Sequence, residues 1–180
     1  WREGDHATFK IFEDFVESLG DAIEAVELPE SYGDLHDYHD KVMNAGLAYF
    51  YAEEVTRDPP LMDPRTIERI RAALPTTAGE YLRALDAVSI IEQEVYEAMS
   101  GVDALIVPPA PGEAPVGLTT TGSPLFQSPW TLLGMPGLVL PLLKGPAGMP
   151  FGVQLMGRKG DDANLFRVAQ WVEVKAGGTV

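Results

Sequence analysis

Few side chains in this sequence are spaced for chemistry, and each such pattern has a plain alternative. In His36-Asp37-Tyr38-His39-Asp40 the two histidines lie three apart and share a helix face, the spacing with which two imidazoles reach one metal ion. A metal site needs a third converging ligand, and the sequence offers none nearby, so the pattern reads as a solvated helix surface, with a metal-dependent hydrolase as the competing interpretation. His6 has no companion. Ser123 in Gly122-Ser123-Pro124 is the best local nucleophile, but a serine attacks an amide only with a base beside it and donors aimed at the developing oxyanion. No strand-to-helix elbow presents Ser123, and it reads as a turn serine. Glu53 and Glu54 cannot both enter one cleft from adjacent helical positions. With no cysteine in 180 residues, thiolate catalysis, disulfides and cysteine zinc sites are excluded, which fits a reducing compartment.

The elements that must position these residues divide near Gly101. Before it the pattern is helical. Phe9, Phe12, Val16 and Leu19 recur behind Asp5, with Gly20 placed to end the helix; Leu35, Tyr38, Val42, Met43, Leu47 and Phe50 form a second stripe over about 34–54. Asp63-Pro64 reads as a cap with proline at the first helical position, and that helix must stop before Pro75. Thr77 with Glu80 is a capping box opening a long helix through Tyr81, Leu82, Leu85, Val88, Ile91, Val95 and Met99. Between the first two helices, Ile23 to Leu28, closed by Pro29, reads as a short strand. After Gly101 come 13 glycines and 10 prolines in 80 positions, with three apolar runs, Ala104–Val107, Leu138–Leu143 and Phe151–Met156, expected to be strands buried on both faces. A loop of roughly twenty residues separates the first two, longer than compact domains use without a reason. Ser128-Pro129 opens a brief helix that Gly134 closes. Asp161 and Asp162 are placed to cap a last helix with Leu165, Val168, Ala169 and Val172 inward.

The charge divides at the same place. Residues 1–100 hold 22 acidic and 8 basic side chains, and residues 101–180 hold 5 of each, for a net charge of −14. That balance argues against nucleic acid and anionic membranes as partners, since both need basic surface. No window approaches the ~18 apolar residues of a membrane span, and the start lacks a secretory signal, so a cytoplasmic location is expected. Trp1 in place of an initiator methionine suggests truncation or processing upstream. The 46% hydrophobic content supports one α/β domain over 1–180: a mainly helical outer layer to residue 100, then core strands, a substrate-side loop and a last helix.

From Asp103 onward the sequence resembles the amidase signature family. The blocks are Asp103-Ala104-Leu105-Ile106-Val107-Pro108-Pro109-Ala110-Pro111; Gly122 and Phe126; Trp130 through Pro141; Gly148-Met149-Pro150-Phe151-Gly152-Val153-Gln154-Leu155-Met156-Gly157; and Asp161-Asp162. Their order and spacing look like the final third of such enzymes. The earlier Leu19-Gly20, Val26-Glu27-Leu28-Pro29 and His39 to Ala45 are similar to the segment joining the family's two halves. The resemblance implies a mixed β-sheet flanked by helices, the C-terminal portion of an amidase signature fold, and hydrolysis of a small-molecule amide through an acyl-enzyme without a cofactor. The family's two serines and lysine lie in a Gly/Ser-rich region upstream of the part matched. Lys10, Lys41, Lys144, Lys159 and Lys175 lie outside any such motif, so no catalytic residue and no metal site is assigned to this chain.

By the same resemblance the long loop helps form the substrate channel, which makes Phe126, Gln127 and Trp130 candidates for contacting a substrate; the alternative is that both aromatics cover the core beneath the loop. Gln154 follows the family's Pro-x-Gly-Val pattern and, if buried, must satisfy its amide, so a structural tie is expected. Gly46 stands where many relatives carry a glutamate. Two readings of the chain follow. In the first it is part of an amide hydrolase, with the upstream half or a homodimer partner covering an exposed apolar edge. In the second it is a free-standing, non-catalytic binding or assembly module on the same fold.

Overall fold

The computed structural model describes residues 4–57 and 61–177; Trp1, on which the expectation of upstream truncation rests, lies outside them. The chain divides into two compact units, one running to Pro29 and resuming at Glu94, the other Glu30–Gln93.

The second unit is helical. A 3-10 turn, Glu30–Asp34, leads into α2 (Leu35–Thr56), which packs on α3 (Pro64–Ala73). The Asp63 carboxylate accepts the Arg65 amide at 3.0 Å, with Pro64 just inside the helix where no amide is needed. At Thr77 the capping box is complete: its hydroxyl accepts the Glu80 amide at 3.2 Å, and the Glu80 carboxylate accepts the Thr77 amide at 2.8 Å. The helix it opens, α4 (Ala78–Ala98), buries Ala84, Val88 and Ile91 here, but Leu82 and Ile90 stand more than half exposed. On α2 only Leu35 and Val55 are buried, while Tyr49 and Phe50 are 82% and 69% exposed. The expected stripe on α2 is therefore only half covered, because the apolar residues spread round more of each helix than the neighbouring helices reach.

The first unit holds the sheet. Its opening helix, α1 (His6–Ser18), is capped by Asp5, whose carboxylate accepts both the amide and the hydroxyl of Thr8, at 2.9 and 2.5 Å. Gly20, at φ +76°, ends it. Three strands, β1 (Leu105–Val107), β2 (Gly137–Lys144) and β3 (Pro150–Met156), form an antiparallel sheet in the order β1-β3-β2. Helix α5 (Ser128–Leu133) precedes β2 and closes on Gly134 at φ +65°. The last helix, α6 (Asp162–Lys175), packs on β2 and β3. Asp161 sits at its N-cap without a side-chain bond, so only Asp162, in the first turn, acts on the helix end, through charge.

Alternation along β3 sorts its side chains onto two faces. Phe151 and Val153 pack with Phe9 and Phe12 of α1, and Leu155 packs with Leu140 and with Leu165, Ala169 and Val172 of α6. Gly152, Gln154 and Met156 take the other face. The register slips between Leu140 and Leu143, where Pro141 has no amide for the ladder. Opposite the slip stands Gly152, where a Cβ would collide with Val139 Cγ1.

Two expectations are corrected. Residues 23–28 are not a strand: a strand needs a partner, and no other strand among the described residues pairs with them. Nor is β2 buried on both faces, since Val139 is 51% exposed. The α/β class expected from the sequence is what the chain adopts. No described helix is long and apolar enough to cross a membrane.

Candidate functional site

The long connection between β1 and α5 is held at its base by three attachments. Gln127 Nε2 donates to the Pro109 carbonyl at 3.0 Å, across the two ends of the loop. The Asp5 amide donates to the Pro111 carbonyl at 2.6 Å, joining the loop to the start of α1. Glu113 reaches the turn between β2 and β3, where its two carboxylate oxygens accept the amides of Ala147 and Met149 at 3.1 and 2.8 Å. That turn is shaped to admit it: a Cβ on Gly145 would collide with Glu113 Cγ, and Gly148 takes φ +84°. Beyond these anchors Val116 and Leu118 are fully exposed.

The three candidates for substrate contact differ in what they can present. Phe126 is half-buried and meets Phe9 edge-on, with ring centroids 5.5 Å apart. Trp130 is 3% exposed on α5, so little of it reaches solvent. Gln127 is exposed, with its amide nitrogen committed to Pro109. Ser123 is exposed, and its hydroxyl oxygen accepts the Leu125 amide at 3.3 Å, as in a turn. Ser18 and Ser128 likewise spend their hydroxyls locally, on the carbonyls of Phe15 and Pro124. Among the lysines, Lys10 pairs with Asp14, Lys41 lies over the Tyr38 ring and Lys175 over Trp171.

Gln154 departs from the tie expected of it. It is 5% exposed; its Nε2 donates to Met156 Sδ at 2.9 Å, and nothing among the described residues donates to its Oε1. Sulfur is a weak acceptor, so both ends of this buried amide are poorly met. It pairs across the sheet with Val107 on one side and the half-exposed Val139 on the other.

A cleft of about 1070 Å³ opens along β1, walled by α1, α6 and residues between 21 and 28. In the helical unit, His39 Nδ1 lies 3.6 Å from Asp40 Oδ1, and no group of three potential metal ligands gathers among the described residues, so the constellation a metal hydrolase would need is not assembled there. Sequence reasoning passed over Glu113. Its signal was a lone acid in a nearly acid-free stretch, with Gly145 and Gly148 bracketing a turn; the separation of 34 positions between Glu113 and Ala147 hid the pairing.

Comparison with known proteins places these features in a family. The amidase family model matches residues 16–166. Over 105 residues, 54% of this chain, the sequence is 36% identical to a glutamyl-tRNA(Gln) amidotransferase subunit of Anaeromyxobacter dehalogenans, and it is 35% identical over 103 residues to the same subunit of Parvibaculum lavamentivorans. In each case the match spans 21% of the relative's length. A crystal structure of an amidase superposes on 96% of the chain with a TM-score of 0.85 and 26% identity, and the chain covers 43% of it. The allophanate hydrolase of Kluyveromyces lactis shares the fold at a TM-score of 0.77, with 20% identity over 96% of this chain and 30% of that one. With five-sixths of its length inside the family model and a fold that superposes almost end to end on part of an amidase, the chain belongs to the amidase family.

Proposed function

We propose that these 180 residues are the C-terminal portion of an amide hydrolase, supplying sheet core and substrate-loop residues to a site whose Ser-Ser-Lys catalytic set lies in the upstream part of the fold. The observation that carries this reading is the coverage: the chain superposes over 96% of its own length yet accounts for 43% of the amidase it matches. The local chemistry agrees, since Ser18, Ser123 and Ser128 hold their hydroxyls in turns and caps. Apolar side chains left open on α2, α4 and β2, such as Phe50, Ile90 and Val139, are what a part of a larger fold would expose.

In this reading Gln127 faces the substrate from the foot of the loop, Phe126 borders the channel, and Trp130 supports both from below. The reaction is cofactor-free hydrolysis of a small carboxamide, with ammonia or an amine leaving as the serine is acylated and water then releasing the acid. We place the work in the cytoplasm.

The test is ammonia release from a panel of aliphatic and aryl amides, measured for the 180-residue chain and for the polypeptide carrying the upstream amidase portion. Activity confined to the longer polypeptide supports the reading. Turnover by the 180 residues alone that vanishes on Ser123→Ala overturns it. Inactivity of both, in a well-behaved monomer, favours a non-catalytic module instead.

A further inference from the structure

Three residues of the connection after β1, at alternate positions, are each tied to a different element. The Pro109 carbonyl accepts Gln127 Nε2 at 3.0 Å, the Pro111 carbonyl accepts the Asp5 amide at 2.6 Å, and the Glu113 carboxylate accepts the amides of Ala147 and Met149 at 3.1 and 2.8 Å. The run that carries them is Pro108-Pro109-Ala110-Pro111-Gly112-Glu113, with φ fixed by the ring at three of its first four residues. Its one glycine is packed in: a Cβ on Gly112 would stand 3.2 Å from the Asp5 Cβ. Residues 109–113 therefore form a stiff strap, and a displacement at one end reaches the other.

The order of the ties gives each a different task. A single hydrogen bond at Pro111 fixes a point of the strap and not its direction. Direction is set at the ends, and Glu113 is the firmer end, because two charge-assisted bonds hold its carboxylate against a turn in which Gly145 leaves no room for a side chain. The other end is one neutral bond to an exposed residue. Two residues of chain span at most about 7 Å, so with Glu113 released a swing of about 10° about Pro111 carries the Pro109 carbonyl about 1 Å. That is enough to break a bond of 3.0 Å or to drag the Gln127 amide with it. The Pro109 carbonyl also decides which end of that amide is which, since a carbonyl takes only the nitrogen.

We propose that Glu113 is a positioning residue for substrate contact: through the strap it holds in place the Pro109 carbonyl that orients the Gln127 amide. This rests on the reading of Gln127 as a substrate contact in an amide hydrolase. Glu113 itself touches no substrate; it acts by fixing the residue that does. A misplacement of about 1 Å at a group that orients substrate can cost an enzyme up to about a hundredfold in rate.

The test has two readouts. In the isotope-labelled 180-residue chain, NMR follows exchange of the Gln127 side-chain amide protons against those of Gln93 and Gln170, which are exposed on α4 and α6. The expected result is exchange at least about threefold slower at Gln127, rising to the level of the other two in Glu113→Ala and falling part of the way back in Glu113→Gln. In the polypeptide carrying the upstream portion, Glu113→Ala should lower kcat/KM for amides about five- to tenfold, chiefly through KM, the size of one lost neutral hydrogen bond. In a Gln127→Ala background the same substitution should change kcat/KM by less than about twofold. Exchange at Gln127 that ignores Glu113→Ala overturns the proposal, and so do losses from Glu113→Ala and Gln127→Ala that simply multiply, the mark of a residue that only stabilises the loop. Either result, with amides still turned over by the parent polypeptide, leaves the amidase reading intact. A parent polypeptide without amide turnover overturns that reading and the positioning role with it, even where the exchange of Gln127 follows Glu113.

Discussion

Replacing Gln154 by methionine should stabilise the 180-residue chain, although it removes a polar group from the centre of the sheet. The side chain is 95% buried on β3, its Nε2 meets only the thioether of Met156, and its Oε1 has no donor among the described residues. Turning the amide over exchanges the two atoms and leaves an N–H, instead of an oxygen, poorly met. A buried unmet acceptor costs about 1–3 kcal/mol, whereas a sulfur-accepted hydrogen bond returns a fraction of the ordinary net of about 1 kcal/mol. Methionine has similar length and flexibility and adapts to irregular space, so packing strain takes back part of the gain. The net expectation is about 1 kcal/mol in favour of the variant, a rise of about 2–4 °C in melting temperature for a chain of this size. Urea unfolding should show a higher midpoint at unchanged slope. A loss of about 1 kcal/mol or more would refute the reasoning, because it would mean that the oxygen already holds a bond in this chain. In the polypeptide with the upstream portion, a donor brought to Oε1 would reverse the sign.

Three further outcomes follow from the geometry. Glu113→Ala removes the acceptor of two turn amides, and Gly145→Ala pushes a methyl against its side chain, so each should speed hydrogen exchange at Ala147 and Met149 and hasten proteolysis between 114 and 122, while Glu113→Gln should lie between these and the parent. Phe12, 1% exposed where α1 meets β3, should cost about 3–5 kcal/mol when cut to alanine, read from the urea midpoint. Stability should fall with acid for a specific reason. The hydroxyl of Thr8 and then its amide hold the Asp5 carboxyl below its ordinary 3.8, and the amide and then the hydroxyl of Thr77 hold Glu80 below 4.5. Groups lowered on folding contribute fully above their unfolded values and lose that contribution as pH falls through the folded ones. The urea midpoint should therefore drop below about pH 4.5, and Asp5→Asn with Glu80→Gln should flatten the drop.

Much of the local structure was determined by the sequence itself. The caps at Asp5, Asp63 and Thr77, the glycine stops at Gly20 and Gly134, and the three apolar runs each depend on residues within a few positions of one another, and all appear where they were expected. The family, too, could be read from the ordered blocks after Asp103, because their spacing is a property of the chain alone. What only the tertiary structure decided are the pairings between distant residues. Ile23–Leu28 has the composition of a strand, but strand formation requires a partner backbone, and none of the described residues supplies one. Gln154 sits in an apolar run, but whether its amide is satisfied depends on what faces it across β1 and β2. Glu113 looks like any loop carboxylate until folding brings the β2–β3 turn to it, and the burial of Trp130, which lies on an α5 that buries Ser128, Pro129 and Leu133 as well, depends on what the rest of the fold packs around that short helix. Hydrogen bonds and burial across tens of residues are set by the path of the chain in space, which local propensity does not encode.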